Sequence, residues 1–295
     1  MKRRALVLSL ALLATCAPQG FKPSSFVDTL RVLAVQADKP LAAPGEDVNL
    51  RALVVDPLGA GRPLRLWFAT CTNPGSAEVV ACAASLGPAE QTPIPADGEP
   101  TFSVHVPEDA LAAGDVGSVG VVFAACAGTL SVAARPEGAP VGCVDAKGAR
   151  VGREGFVWGE KRITVVRGAR NANPEVANVY FDGHRWDEGF DIALDACAGT
   201  RVDDCSADRQ HEVDVQVPRG TAEAWLGGTE DVVTFFHVSQ GAVHDDVARA
   251  GADGVLFPNL YAPAGAVAAR PIDVWVVVRD DRGGVGWAHR TATLR

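Results

Sequence analysis

The sequence predicts an all-β chain assembled from two β-sandwiches in tandem. Three observations carry that expectation. Apolar and polar residues alternate over short runs, the runs are bounded by Gly, Pro, Asn and Asp, and few windows show helical periodicity. Period-two patterning lets one face of a strand enter a core while the other meets solvent. Only residues 108–113 and 242–250 have a spacing that suits a short helical turn.

The runs follow one another along the chain. Residues 29–35, 47–55 (followed by the breaker Asp56-Pro57), 64–69, 101–106, 120–124 and 161–166 make the first series. After a short stretch over 167–174, ending in Asn173-Pro174, the plan repeats at 176–181, 211–217, 231–237 and 272–278. The last of these leads into Arg279-Asp280-Asp281-Arg282-Gly283-Gly284, a turn by composition, and then a final strand over 285–294. Domains over 28–167 and 168–295 are therefore expected, joined by a linker too short to give them much freedom.

Ahead of the folded part, Met1-Lys2-Arg3-Arg4 is basic and residues 5–14 are apolar or small. That order is a secretory signal, too short to cross a membrane as a helix. Leu13-Ala14-Thr15-Cys16 resembles the lipobox of bacterial lipoproteins, with Thr15 where Gly, Ala or Ser is usual. The resemblance implies a signal peptide over 1–15, acylation of Cys16 and, because Ala17 rather than Asp follows, anchoring in the outer membrane. Residues 16–27 then read as a lipidated tether. Ordinary signal-peptidase cleavage after Ala17 is the alternative, and it would remove Cys16 and release a soluble secreted protein.

Loss of Lys2, Arg3 and Arg4 with the signal takes the formal charge from −9 to −12. Such an acidic balance argues against nucleic acid as a partner. Besides Cys16 there are six cysteines: Cys71, Cys82, Cys126, Cys143, Cys197 and Cys205. An even six in an exported chain is expected to form three disulfides, and six allow 15 pairings. Their order along the chain favours neighbours, Cys71–Cys82, Cys126–Cys143 and Cys197–Cys205, each closing a short loop. Zinc is the rival use, but the sequence has no CxxC and no histidine at ligand spacing from any pair.

The final hairpin, with Trp275 on one strand and Trp287 on the next, is similar to the closing strands of PKD-like and other immunoglobulin-like bacterial domains. Pro44-Gly45-Glu46-Asp47-Val48, with Asp56-Pro57 after it, resembles the second strand of such domains. The resemblance covers most of residues 28–295 and implies two tandem immunoglobulin-like sandwiches. The antibody-type Cys–Trp–Cys arrangement is absent, because the run 47–55 has no Cys and Cys71 follows Trp67.

Catalytic signatures are missing from this sequence. There is no Gly-x-Ser-x-Gly, no P-loop and no dinucleotide fingerprint. His237 and His244, followed by Asp245-Asp246, are the nearest approach to a metal constellation, and they read as ordinary surface histidines. The acidic turns at Asp203-Asp204 with Asp208, Asp182 with Asp187 and Glu188, Asp245-Asp246, and Asp280-Asp281 lack EF-hand spacing. They read as solvated turns, with calcium at one loop left open. Trp275 and Trp287 belong to alternating strands and are expected in the core. Trp186, within the polar stretch His184-Arg185-Trp186-Asp187-Glu188-Gly189, is the candidate ligand-binding aromatic.

These readings combine into an expected function with no cofactor and no catalytic residue. The chain is expected to be a lipid-anchored envelope module, non-enzymatic, that binds another envelope protein or serves a structural role. That reading requires an exposed apolar patch beside the stiffened loops. A surface glycan-binding lipoprotein is the alternative, and it requires an exposed Trp186 or Trp225.

Overall fold

The computed structural model describes residues 23–58, 62–72, 86–87, 89–111, 114–131, 141–225, 228–251, 255–268 and 270–295, and it is all-β. Its first half contributes ten strands among the described residues. They are β1 (Arg31–Ala37), β2 (Leu41–Ala42), β3 (Asp47–Val55), β4 (Arg65–Thr72), β5 (Glu90–Pro93), β6 (Thr101–His105), β7 (Val116–Cys126), β8 (Thr129–Ser131), β9 (Gly142–Val144) and β10 (Phe156–Val166). One sheet has the order β1-β3-β6 and the other β2-β10-β7-β4-β5. Between them lie Leu50, Leu66, Phe68, Phe102, Val121 and Ile163.

β3 shows how the sequence builds this sandwich. Val48, Leu50 and Ala52 are buried, while Asp47, Asn49 and Arg51 are exposed. From Leu53 to Val55 the alternation of burial stops and every residue is covered. β7 goes further, with eight consecutive buried residues. Val119, Val121, Phe123 and Ala125 face the sandwich core, whereas Val122, Ala124 and Cys126 join Trp67, Ala69, Val141, Cys143 and Phe156 in a second cluster. An antiparallel pair, β8 and β9, stands beside this second face. The Cys126–Cys143 disulfide, with Cα atoms 5.8 Å apart, fastens β9 to β7.

Thirteen strands follow among the described residues of the second half. They are β11 (Asn178–Phe181), β12 (His184–Arg185), β13 (Ile192–Leu194), β14 (His211–Gln216), β15 (Ala224–Trp225), β16 (Gly228–Thr229), β17 (Val232–Val238), β18 (Ala242–Val243), β19 (Val247–Arg249), β20 (Leu256–Phe257), β21 (Leu260–Ala262), β22 (Ile272–Asp280) and β23 (Val285–Leu294). One sheet runs β12-β11-β14-β21-β18, with β20 also on β14, and the other runs β13-β23-β22-β17-β19. Trp186, Val215, Phe236, Phe257, Tyr261 and Ile272 fill the space between. β11 and β12 are joined by Asp182-Gly183, both at positive φ (48° and 74°), the backbone of a tight two-residue hairpin.

The two halves meet through sheet faces that local alternation would leave to solvent. Leu33 and Ala34 of β1 and Leu53 and Val55 of β3 pack with Trp275, Val277 and Val285 of β22 and β23. Burying an aliphatic side chain of this kind contributes about 1.5–3 kcal/mol, so the seam is a structural element in its own right. Its polar edge is bonded too. Arg279 donates to the Leu33 carbonyl at 2.8 Å, Lys161 to the Gly283 carbonyl at 2.7 Å, and Trp287 Nε1 to Glu99 at 2.8 Å. Asn173, in the connecting stretch, donates to the Ala37 carbonyl and accepts from the Val285 amide, touching both halves.

Two expectations are corrected here. Residues 242–250 do not form a helical turn but supply β18 and β19, whereas residues 108–111 form a hydrogen-bonded turn closed by the Ala110 amide on the Pro107 carbonyl, and residues 112–113 lie outside the described residues. Pairing of these strands with β21 and β17 outweighs the weak local periodicity. The stretch expected to be tether is also partly docked. Val27 donates to the Val238 carbonyl, Val238 donates back to Ser25, and Val27 is fully buried.

Candidate functional site

Four stretches distant in sequence converge where β17 ends and β22 begins, and they wall a cavity of about 690 Å³. They come from residues 23–26, 199–201, 239–243 and 264–267 with Arg270. The first stretch is a wall because its backbone is paired to the end of β17, with Phe26 bridged to Val238. The second is fixed by the Cys197–Cys205 disulfide and by Asp204, whose carboxylate accepts the Thr200 and Arg201 amides at 2.9 and 3.0 Å. Those two amide donors hold the Asp204 carboxyl below its ordinary value.

Gln240 organises the other two stretches. It is 8% exposed, and its Nε2 donates to the carbonyls of Arg270 and Pro271 at 2.9 and 3.1 Å. Its Oε1 accepts the Val267 amide at 2.9 Å. A single side-chain amide thus holds Val267 on one side and Arg270 and Pro271 on the other. The Tyr261 hydroxyl donates to the Gln240 carbonyl at 3.3 Å, and burial holds that phenol above its ordinary value, so it remains a donor.

Glycine is required at two wall positions. Gly241 has φ +81°, and a Cβ there would stand 2.5 Å from the Tyr261 hydroxyl and 2.6 Å from the Ala262 carbonyl oxygen. Gly199 has φ +125°, and a Cβ would meet the Asp204 Cβ at 2.4 Å. The close approach of these loops depends on having no side chain at either place.

The lining is apolar with a basic margin. Pro23, Phe26, Ala242, Val243, Ala264 and Val267 supply the apolar wall. Arg201 and Arg270 are the charged residues that line it among the described residues, and neither is in an ion pair there. No His, Cys, Lys, Asp or Glu lines the cavity among the described residues. The hydroxyls present are those of Ser25, Thr200 and Ser239, and Ser239 already accepts the Asp273 amide at 2.7 Å. The Ser25 hydroxyl is hydrogen-bonded to the Asp246 carboxylate, which stands behind the lining. The arrangement suits holding a molecule.

The residues singled out from sequence are distributed as follows. Cys16 and Cys82 lie outside the described residues. Cys71 is disulfide-bonded. Cys126 is joined to Cys143 and Cys197 to Cys205. Trp186 is corrected: it is 1% exposed, packs edge-on against Phe181 at 5.1 Å and donates through Nε1 to the Phe190 carbonyl. A large ring gains more from core burial than a polar loop loses by folding over it, and Phe190, 63% exposed, takes the outer place. Trp225 is 48% exposed, with the Arg282 guanidinium 5.7 Å from its ring centre.

The acidic turns are engaged in local bonds. Asp182 accepts from His211 and from the Glu212 amide, Asp280 from the Arg282 and Gly284 amides, and Asp246 from Ser24. Among the described residues no three His, Cys, Asp or Glu side chains gather as a metal site. Sequence reasoning missed the cavity itself. Its residues carry no motif, and only the glycines at 199, 241 and 265 marked loops of unusual backbone.

No family model matches the chain, and no curated protein matches it. Solved structures similar to it include dimeric latent PorU from Porphyromonas gingivalis, aligned over 90% of this chain and 24% of that one at 10% identity and TM-score 0.24. The Yersinia pseudotuberculosis adhesin InvE aligns over 90% of this chain and 60% of its own, at 11% identity and TM-score 0.24. A Salmonella alpha-2-macroglobulin aligns over 90% and 16%, at 10% identity and TM-score 0.27. The chain spans less than two thirds of the length of each.

Proposed function

We propose that this chain is a lipid-anchored, non-enzymatic module of the cell envelope, held in the outer membrane through acylated Cys16. In this reading it presents two immunoglobulin-like sandwiches as one body and binds through the loops at the end of the second. The observation that carries binding rather than catalysis is the cavity lining, which joins an apolar wall to two arginines with no acid, base or thiol among the described residues. The apolar seam between the halves supports a single body, because parting them would expose Leu53, Val55, Trp275 and Val277 to water. Val267, 56% exposed beside the Cys197–Cys205 loop, supports an interaction surface at this end.

The glycan-binding alternative retains Trp225 as its aromatic and loses Trp186 to the core. Crosslinking in intact cells, followed by non-reducing mass spectrometry, tests the proposal. Acylated Cys16 together with a recurrent protein neighbour is the expected result. An unmodified N-terminus at Pro18 would overturn the anchor, and an acylated chain with no protein neighbour would overturn the interaction role.

A further inference from the structure

We propose that the cavity beside Gln240 binds a single-chain anionic amphiphile, an acyl chain ending in a carboxylate or phosphate. Its volume of about 690 Å³ lies within the roughly 300–1,000 Å³ typical of small-molecule sites. One part of the lining is apolar, from Phe26, Val243, Ala264 and Val267, and suits an acyl chain. The other part is cationic. Arg201 and Arg270 are both exposed, and neither is in an ion pair among the described residues.

Charge decides the headgroup. The chain as a whole has a formal charge of −9, yet this lining carries two arginines and, among the described residues, no carboxylate. Of the neighbouring carboxylates, Asp204 accepts the amides of Thr200 and Arg201 and attracts the Arg201 guanidinium without a close ion pair, and Asp246 accepts the hydroxyls of Ser24, at 2.6 Å, and Ser25. An arginine with open donors pairs readily with carboxylate or phosphate through two parallel hydrogen bonds. The wall is also pre-organised, since Gln240, Gly241 and the Cys197–Cys205 disulfide fix the loops before anything binds.

Position in the chain adds a reason. Pro23 lines the cavity, and it is seven residues from Cys16. A fully extended segment of that length reaches about 25 Å. Acylation at Cys16 would therefore keep the cavity close to a bilayer, where single-chain amphiphiles are concentrated. This one supporting point rests on the envelope-module reading, and the cavity chemistry does not.

The test is calorimetric titration of purified full-length chain carrying Cys16→Ser with laurate, dodecyl phosphate, dodecyl maltoside and acetate, each below its micellar concentration. One equivalent of laurate or dodecyl phosphate is expected to bind at least tenfold more tightly than the neutral maltoside, with acetate too weak to detect. Whichever anion binds more tightly identifies the headgroup, and either supports the proposal. Arg201→Gln with Arg270→Gln is expected to abolish the preference for the anion, and Val267→Glu to abolish binding of both dodecyl anions. All three positions are exposed, so these variants are expected to keep the wild-type thermal midpoint. No binding of either dodecyl anion, equal affinity for the maltoside, or an anion preference that survives the double substitution would overturn the proposal. The assay uses no membrane or partner, so its failure leaves the anchor standing, and a failed cell crosslink leaves the cavity's ligand standing.

Discussion

Lowering the pH from 7 to 4 is expected to remove about 3 kcal/mol of stability through one side chain, His237. Residues 232, 234, 236 and 238 of β17 point into the C-terminal core, which turns His237 to the opposite face, toward the docked segment that begins at Ser24. Burial pushes its imidazole down to about 4, and the guanidinium groups of Arg31 and Arg279 add like charge; Asp246 and a backbone bond with Ser24 oppose them weakly. Its Nδ1 is buried without a hydrogen-bond partner among the described residues.

The direction follows from proton counting. Between pH 6.5 and about 4 the unfolded chain binds a proton at this histidine and the folded chain does not. Stability therefore falls as the pH drops through that window and levels off below it. A displacement from 6.5 to about 4, at about 1.36 kcal/mol per pH unit, gives the figure of about 3 kcal/mol. Urea unfolding followed by tryptophan fluorescence, at half-unit steps of pH, would be compared between the wild type and His237→Gln. The variant cannot titrate at this position, so the two stability curves should converge or cross by about that amount on acidification. Parallel curves would refute the reasoning, as would an NMR titration showing a charged His237 in the folded protein at pH 6.

Lys161, pushed down to about 8 by burial and by Arg279, is expected to make stability rise between pH 8 and 10.5; Lys161→Met should flatten that rise in the same urea assay. Replacing Cys126 and Cys143 together by Ser opens a loop with a sequence separation of 17 and should cost about 3 kcal/mol, with faster amide exchange in β9 as the local signature. Val277→Asp puts a charge at a fully buried seam position and should cost on the order of 4 kcal/mol; a small loss would mean that the seam opens to water. Gly241→Ala, placed against the Tyr261 hydroxyl at positive φ, should cost about 2 kcal/mol in thermal unfolding and weaken amphiphile binding, whereas unchanged binding would show that the loop tolerates a Cβ.

Much of the secondary structure was legible because strand formation answers to local pattern. The alternation in β3, β14 and β17 is written as period-two burial, and the same residues are buried in the folded chain. The turn after β22 was equally legible, since Asp280 caps the amides of Arg282 and Gly284 within five residues. The neighbour order of cysteines pointed to Cys126–Cys143 and Cys197–Cys205 because short loops bring such pairs together at little entropic cost.

What pattern reading could not supply is everything that depends on a second covered face. Leu53 and Val55 looked like the end of an alternating strand, and their burial is decided by Trp275 and Val277, more than two hundred residues away. Trp186 sits among charged neighbours in sequence, yet the sheets deliver its ring to Phe181. Ser25 and Val27 read as tether until β17 offers them hydrogen-bond partners at Val238. The cavity joins four such stretches and has no local signature at all. The sequence by itself determined the strands and the turns, because these follow from neighbours a few residues apart. Only the tertiary structure decided the seam, the docked segment and the cavity, because burial depends on which distant surface removes the water.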